Sequence, residues 1–204
     1  MNAAIQLAGL TKRFGERVAL NAISATIPTG GITGLVGPDG AGKSTLLRLL
    51  AGLLVPEAGE IRVLGLDPVR EGDALRQRLG YMPQQFGLYE DLSVQENLSL
   101  YADLRGVLEP ERSPTFERLL AFTDLARFTA RPAGKLSGGM KQKLGLACAL
   151  LGTPDVLLLD EPGVGVDPIS RRALWQMVRE LAQGGMTVLW STAYLDEAEL
   201  CDHV

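Results

Sequence analysis

The sequence predicts an α/β fold: a core of parallel strands bearing a phosphate-binding loop, an antiparallel β segment ahead of it, and an inserted helical segment. Three observations predict it. An apolar run, Gly31-Ile32-Thr33-Gly34-Leu35-Val36, leads through a glycine-rich loop into Leu46-Leu47-Arg48-Leu49-Leu50-Ala51, a helical stretch that stops at Gly52. A second apolar run, Val156-Leu157-Leu158-Leu159, ends in the adjacent carboxylates Asp160 and Glu161, at the strand end where open α/β sheets place ligands. Between the two, from about Phe86 to Leu136, the pattern turns helical and offers no parallel strand.

From Ile5 to Ile27 the chain alternates like paired strands, broken at Phe14-Gly15-Glu16-Arg17, so an antiparallel hairpin is expected before the loop. Phe14 beside this turn has a ring able to stack on a base; packing within the hairpin is the plainer role for it. The loop itself is Gly37-Pro38-Asp39-Gly40-Ala41-Gly42-Lys43-Ser44-Thr45 and fits G-x-x-x-x-G-K-[ST]. Strand, glycine loop and helix together aim successive backbone N–H groups and a helix N-terminus at an anion. The glycines let the backbone curl around phosphates. Lys43 adds a point charge for the β- and γ-phosphates, and the Ser44 hydroxyl is placed to ligate Mg²⁺. A chance glycine turn would not come with this strand and this helix. The expected core is therefore that of a P-loop NTPase.

Pro56-Glu57-Ala58-Gly59 reads as a turn, Glu60–Val63 as a strand, Asp73–Arg78 as a short helix and Leu79–Met82 as a strand ending at Pro83. Gln84 and Gln85 stand where the pattern changes. Ser93-Val94-Gln95-Glu96 is a capping box, opening a helix whose Val94, Leu98, Tyr101 and Ala102 share a face. A second helix is expected over Thr115–Phe122. Leu136-Ser137-Gly138-Gly139-Met140 then leads into a helix over Lys141–Leu151, a second device for anions at a helix start, and by itself a common turn. Asp160 can hold Mg²⁺, directly or through water, and Glu161 can orient or deprotonate a water. The plainer alternative for the pair is a solvated strand end. Asp167 and Pro168 cap the next helix, with Leu174, Met177, Val178 and Leu181 on its core face. A strand over Thr187–Trp190 runs into Ser191-Thr192-Ala193, and Tyr194–Leu200 turns helical. The chain reads as a fragment cut inside its final strands at Val204.

Composition narrows the classes. With 204 residues, 46% apolar and 22% charged, the chain can bury a substantial core. A formal net charge of −4 argues against nucleic acid as partner. No apolar run reaches the roughly 18 residues of a bilayer span, and Met1-Asn2-Ala3-Ala4 lacks the features of a secretory signal. Cys148 and Cys201 have no metal or redox spacing and are expected to be buried apolar residues. Asn97-Leu98-Ser99 matches a glycosylation acceptor by chance. A cytosolic chain is expected.

Taken in order, these motifs resemble the nucleotide-binding domain of an ABC transporter over nearly the whole chain, 1–204, with the helical subdomain at about 86–136. The Leu136–Met140 stretch resembles the ABC signature, which other phosphate-loop NTPases lack. The resemblance implies ATP and Mg²⁺ as ligands. It assigns Phe14 to adenine stacking, Gln84 to Mg²⁺ and the attacking water, Asp160 and Glu161 to the Walker B aspartate and catalytic glutamate, and Asp167 to the D-loop. It also implies a head-to-tail dimer with a second such domain, on the same polypeptide or another. ATP at Lys43 of one would be covered by Ser137, Gly138 and Gly139 of the other, and a transmembrane permease would be driven from the cytoplasmic face of the inner membrane. Gly80–Leu92, Met140 where the signature usually has Gln, and Tyr194-Leu195-Asp196-Glu197-Ala198 are similar to the ATP-binding subunits of bacterial drug exporters, the first half of a tandem subunit above all.

One position departs from that pattern. Where the family has Ser-Thr-His, this chain has Ser191-Thr192-Ala193, and a methyl group offers no hydrogen bond to a γ-phosphate. Losing one such donor costs about a hundred- to a thousand-fold in turnover. The only histidine, His203, lies ten residues on. The site is expected to bind Mg-ATP and hydrolyse it slowly. A soluble ABC-type ATPase acting on nucleic acid or ribosomes is the competing reading, and a basic surface or charged linker would mark it. A small-molecule kinase would not need the Ser137 helix start.

Overall fold

The computed structural model describes residues 3–85 and 87–204; the readings made at Met1, Asn2 and Phe86 lie outside them. Strands β1 (Ala3–Phe14) and β2 (Arg17–Pro28) form the expected hairpin, with Phe14 opposite Arg17. Strand β4 (Ala58–Val63) pairs on the other side of β1, giving an antiparallel sheet ordered β2-β1-β4. The parallel sheet contains β3 (Gly31–Val36), β5 (Leu79–Met82), β6 (Val156–Asp160) and β7 (Thr187–Thr192), ordered β3-β7-β6-β5. β7 therefore lies between the strand that enters the phosphate loop and the strand that ends in Asp160. Leu35 pairs with Ser191 on one side, and Asp160 pairs with Ser191 on the other.

The helices are α1 (Lys43–Leu50), α2 (Gly72–Arg78), α3 (Val94–Arg105), α4 (Arg112–Phe122), α5 (Gly138–Ala149), α6 (Pro168–Gln183) and α7 (Leu195–Ala198). The sheet separates two apolar cores, because successive side chains of a strand point to opposite faces. Leu157 and Leu159 of β6 join Val188 and Trp190 of β7 in a core with α3, α5 and α6. Val156, Leu158 and Leu189 face the other way, onto α1 and the antiparallel sheet. All of β6 is buried, which explains why it reads as an unbroken apolar run.

Start signals place the helices. Ser93 makes both bonds of its capping box: its hydroxyl accepts from Glu96 N at 3.2 Å, and its own N–H donates to Glu96 Oε2 at 2.8 Å. Asn97 is fully buried one position later. Its amide donates to the carbonyls of Tyr89, Leu92 and Ser93 and accepts from Tyr89 N, so it pins the loop before α3 and is no glycan acceptor.

Several boundaries differ from expectation. α5 begins at Gly138, three residues early, because Ser137 caps it by accepting from Met140 N. α4 begins at Arg112, β7 runs on to Thr192, and the last helix spans only Leu195–Ala198. Cys148 is buried as expected, and desolvation pushes its thiol far above the usual range. Cys201 corrects the reading: it is only partly buried, with desolvation raising its thiol to about 11.

Candidate functional site

Gly42 allows the loop to close. It has φ +96, and a Cβ there would sit 2.6 Å from the Ala19 carbonyl oxygen on β2, so only glycine lets the loop lie against that strand. Gly37 N–H donates to Thr192 O at 3.2 Å, fixing the loop's entry to the end of β7. Ala41 N–H donates back to Pro38 O at 3.2 Å, closing the turn.

Lys43 opens α1 almost wholly buried. Its ammonium donates to Gly37 O at 2.7 Å and Pro38 O at 3.0 Å and pairs with Glu161 Oε1 at 2.9 Å. Three donors meet three protein acceptors. The expected point charge for phosphates is thus engaged by the loop's own carbonyls and by the carboxylate.

Glu161 is held at every polar atom. Its Oε2 accepts from Gln84 Nε2 at 2.8 Å, and its N–H donates to Ser191 Oγ at 2.9 Å. Its backbone carries φ +49, a left-handed conformation uncommon for a residue other than glycine and one that clusters at functional sites. Asp160, also buried, accepts at Oδ1 from Ser44 Oγ and from Ser191 Oγ, both at 3.0 Å. Its Oδ2 has only a long contact, 3.5 Å, to Tyr81 OH. Burial first, and then the Asp160 charge, raise the Tyr81 phenol, so Tyr81 remains a donor.

These groups surround one open cavity of about 400 Å³, lined by Phe14, Arg17 and Ala19 from the hairpin, Asp39, Gly40 and Gly42–Thr45 from the loop, and Gln84 and Glu161 opposite. The size suits a nucleotide. Phe14 is half exposed there, with the Lys12 ammonium 5.4 Å from its ring centroid. Gly37, Pro38 and Ala41 shape the loop without walling the cavity, and Asp160 lies behind Ser44. Ser137, Gly138, Gly139 and Asp167 stand apart from it. Gly138 packs near the Gly165 carbonyl and Gly139 against Ser170, while Asp167 caps α6 by accepting from Ile169 and Ser170 N–H; the Ser170 hydroxyl first, and then these N–H groups, hold its carboxyl below the usual value.

The donor set fits Mg²⁺. Ser44 Oγ, Asp160 and the Gln84 side-chain carbonyl are hard oxygen groups, and Asp160 Oδ2 has no close partner. Among the described residues no cluster of three His, Cys, Asp or Glu could hold an ion unaided, so substrate phosphates would complete the shell. Sequence reasoning missed Arg17, Tyr81 and Ser191. Tyr81 and Ser191 lie 79 and 31 residues from Asp160, which they meet, and Arg17, opposite Phe14 in the hairpin, has no local signal that puts it in the cavity wall.

The chain is 65% identical over its full length to the probable multidrug ABC transporter ATP-binding protein YbhF of Escherichia coli (strain K12), and covers 36% of that protein. It is 41% identical to the daunorubicin resistance ATP-binding protein DrrA3 of Streptomyces coeruleorubidus, over 100% of this chain and 65% of that protein. The chain thus spans about a third to two thirds of these relatives' lengths. Among solved structures it matches an ATP-binding subunit of an ABC transporter with TM-score 0.86 and 32% identity, over 98% of this chain and 83% of that one. It also matches an ATP-binding cassette solved as a dimer in a post-hydrolysis state with ADP and Pi, TM-score 0.85 and 28% identity, over 97% and 91% of the two chains. The ABC transporter family matches residues 20–164, a span that runs through the loop, Gln84, the Ser137 turn and both carboxylates, and the chain belongs to that family.

Proposed function

We propose that this chain is the ATP-binding motor domain of an exporter, working with a second such domain and a membrane subunit, and that its own site holds Mg-ATP but turns it over slowly. The observation that supports it best is the single cavity joining Phe14, the Gly40–Thr45 loop and Glu161. Phe14 would stack on the adenine, the loop amides and the α1 N-terminus would take the phosphates, and Lys43 would exchange a protein acceptor for a phosphate oxygen. Ser44, Asp160 and Gln84 would hold Mg²⁺, which when bound neutralises charge on the β- and γ-phosphates. Glu161, released from Lys43, would orient a water and take its proton.

Ala193 supports the slow step. It follows β7 directly and is exposed, with a methyl where a donor would face the transferring phosphoryl group. His203 pairs through its backbone with Thr33, on the side of β3 away from β7, and is no substitute. Ser137, Gly138, Gly139 and Asp167, set apart from the cavity, fit a role toward a partner's nucleotide.

The helical segment, residues 87–136, would carry the docking surface for the membrane subunit at the cytoplasmic face. A groove of about 670 Å³ between Ala51 and Leu53, α2, and Leu104 and Arg105 of α3 supports this. Leu53 and Leu104 are 60% and 72% exposed there, an apolar rim suited to a helix of a partner. No helix among the described residues is long and apolar enough to cross a membrane, so the membrane path must come from elsewhere in the assembly. The relatives' names, multidrug and daunorubicin resistance, favour export over action on nucleic acid. Equilibrium Mg-ATP binding tests the reading: the wild type binds, and Lys43→Ala loses binding about a hundred-fold. Equal affinity in the two proteins would refute it.

A further inference from the structure

We propose that Ser191 is a positioning residue for hydrolysis, its single hydroxyl setting both the direction of Asp160 and the backbone shape at Glu161. This rests on the reading of the cavity as a Mg-ATP site. Ser191 is fully buried on β7, the strand between the one that enters the loop and the one that ends in Asp160. Its hydroxyl donates to Asp160 Oδ1 at 3.0 Å and accepts from Glu161 N–H at 2.9 Å. A hydroxyl has one proton and two lone pairs, so both bonds form together and each constrains the other.

The two bonds act on different groups. Asp160 Oδ1 has one other donor, Ser44, whose hydroxyl is the one expected to turn toward Mg²⁺. Ser191 lies outside the cavity and keeps its bond whatever the nucleotide does, so it holds the carboxylate's direction as Ser44 changes partners. At Glu161 the bond satisfies a buried N–H just past the last residue of β6, where the backbone turns to φ +49. Without it that N–H is left unpaired in the interior, and the left-handed turn loses the partner that fixes it. The Glu161 side chain reaches Lys43 and Gln84 from this backbone, so a relaxed turn moves the carboxylate itself. The neighbouring residue completes the arrangement. Thr192 O accepts Gly37 N–H, so two successive residues of β7 hold the phosphate loop and both carboxylates in one register.

A merely structural Ser191 would serve stability alone, so the test separates the two. In the full-length protein, binding of a fluorescent ATP analogue is measured in EDTA and then along a Mg²⁺ titration, for wild type, Ser191→Ala and Ser191→Thr. The expected result is that Ser191→Ala binds in EDTA no more weakly than the wild type, because loosening Glu161 frees Lys43 for phosphate, but needs about 10- to 100-fold more Mg²⁺ for half-maximal effect, the usual loss when an outer partner of a metal ligand is removed. Ser191→Thr, which keeps the hydroxyl, recovers most of it. Ser191→Cys, similar in volume and a weak donor, gives the same readout if the alanine variant does not fold. Unchanged Mg²⁺ midpoints, or a parallel loss in EDTA and in Mg²⁺, overturn the proposal. Failure of the wild type to bind the analogue overturns instead the reading of the cavity on which it rests.

Discussion

The Lys43 ammonium and the Glu161 carboxylate meet at 2.9 Å beneath the phosphate loop, with 5% and 6% of their side chains exposed. Gln84 takes the other carboxylate oxygen at 2.8 Å, and the Gly37 and Pro38 carbonyls take the other ammonium protons. In the proposed function the group that would bind phosphate and the group that would activate water are thus tied to each other. Nucleotide binding would then have to open this pair, freeing Glu161 for water and linking the arming of the base to arrival of the phosphate.

Glu161→Gln tests that link without relying on turnover. A neutral amide leaves Lys43 charged and poorly paired in a buried place, which favours an incoming phosphate. ATP affinity in EDTA should rise about tenfold, equivalent to about 1.4 kcal/mol of lost competition. Affinity that stays at the wild-type value would mean that Lys43 leaves Glu161 at no cost.

Ala193→His restores a donor at the end of β7. Turnover should rise about a hundred-fold with ATP affinity little changed, because the imidazole acts on charge that develops in the transition state. Steady-state hydrolysis in the assembled complex, read as kcat and KM separately, decides it. No rise in kcat would show that the missing imidazole does not limit this site.

Phe14→Ala removes the ring at the cavity mouth. Stacking on a base contributes about 1–3 kcal/mol, and a half-exposed ring belongs at the low end, so nucleotide affinity should fall about tenfold. Phe14→Tyr should keep it. If ATP and inorganic triphosphate lose affinity equally in the alanine variant, the ring does not read the base.

Asp202 provides a pH test remote from the cavity. Its Oδ2 accepts Ile32 N–H at 2.8 Å and its Oδ1 pairs with Arg179 at 2.7 Å, tying the segment after α7 to β3. The Ile32 bond, and then Arg179, hold this carboxyl below its usual value. A carboxyl lowered in the folded state contributes stability above its unfolded pKa, about 3.9, and loses it as pH falls through the folded value. Asp202→Asn should therefore melt lower than wild type at pH 7, and the gap should close as the pH drops below about 4. A gap that persists unchanged to pH 3 would contradict the assignment.

Much of the fold could be read in advance because its signals are local. The loop, the apolar strand before Asp160, the Ser93 capping box and the Asp167-Pro168 helix start each lie within a few residues, and each takes the expected form. The early start of α5 at Gly138 was less legible, because two glycines argue against helix and only the Ser137 cap argues for it. The wiring of the site could not be read locally. Glu161 meets Gln84 across 77 residues and Ser191 across 30, and Lys43 meets Glu161 through the sheet order alone. With β7 between β3 and β6, Ser191 falls between the loop and the carboxylates. The resemblance marks Ser191-Thr192-Ala193 as a stretch near the phosphates, but nothing in it shows that the Ser191 hydroxyl joins Asp160 to Glu161.

The central claim is that this site holds Mg-ATP while hydrolysing it slowly. It is tested most directly by measuring Mg-ATP binding and turnover on one sample of the protein, beside Glu161→Gln. The account predicts tight binding with turnover close to that of the variant. Turnover that is substantial in the wild type and disappears in Glu161→Gln would show that the site works with Ala193 in place, and would contradict it.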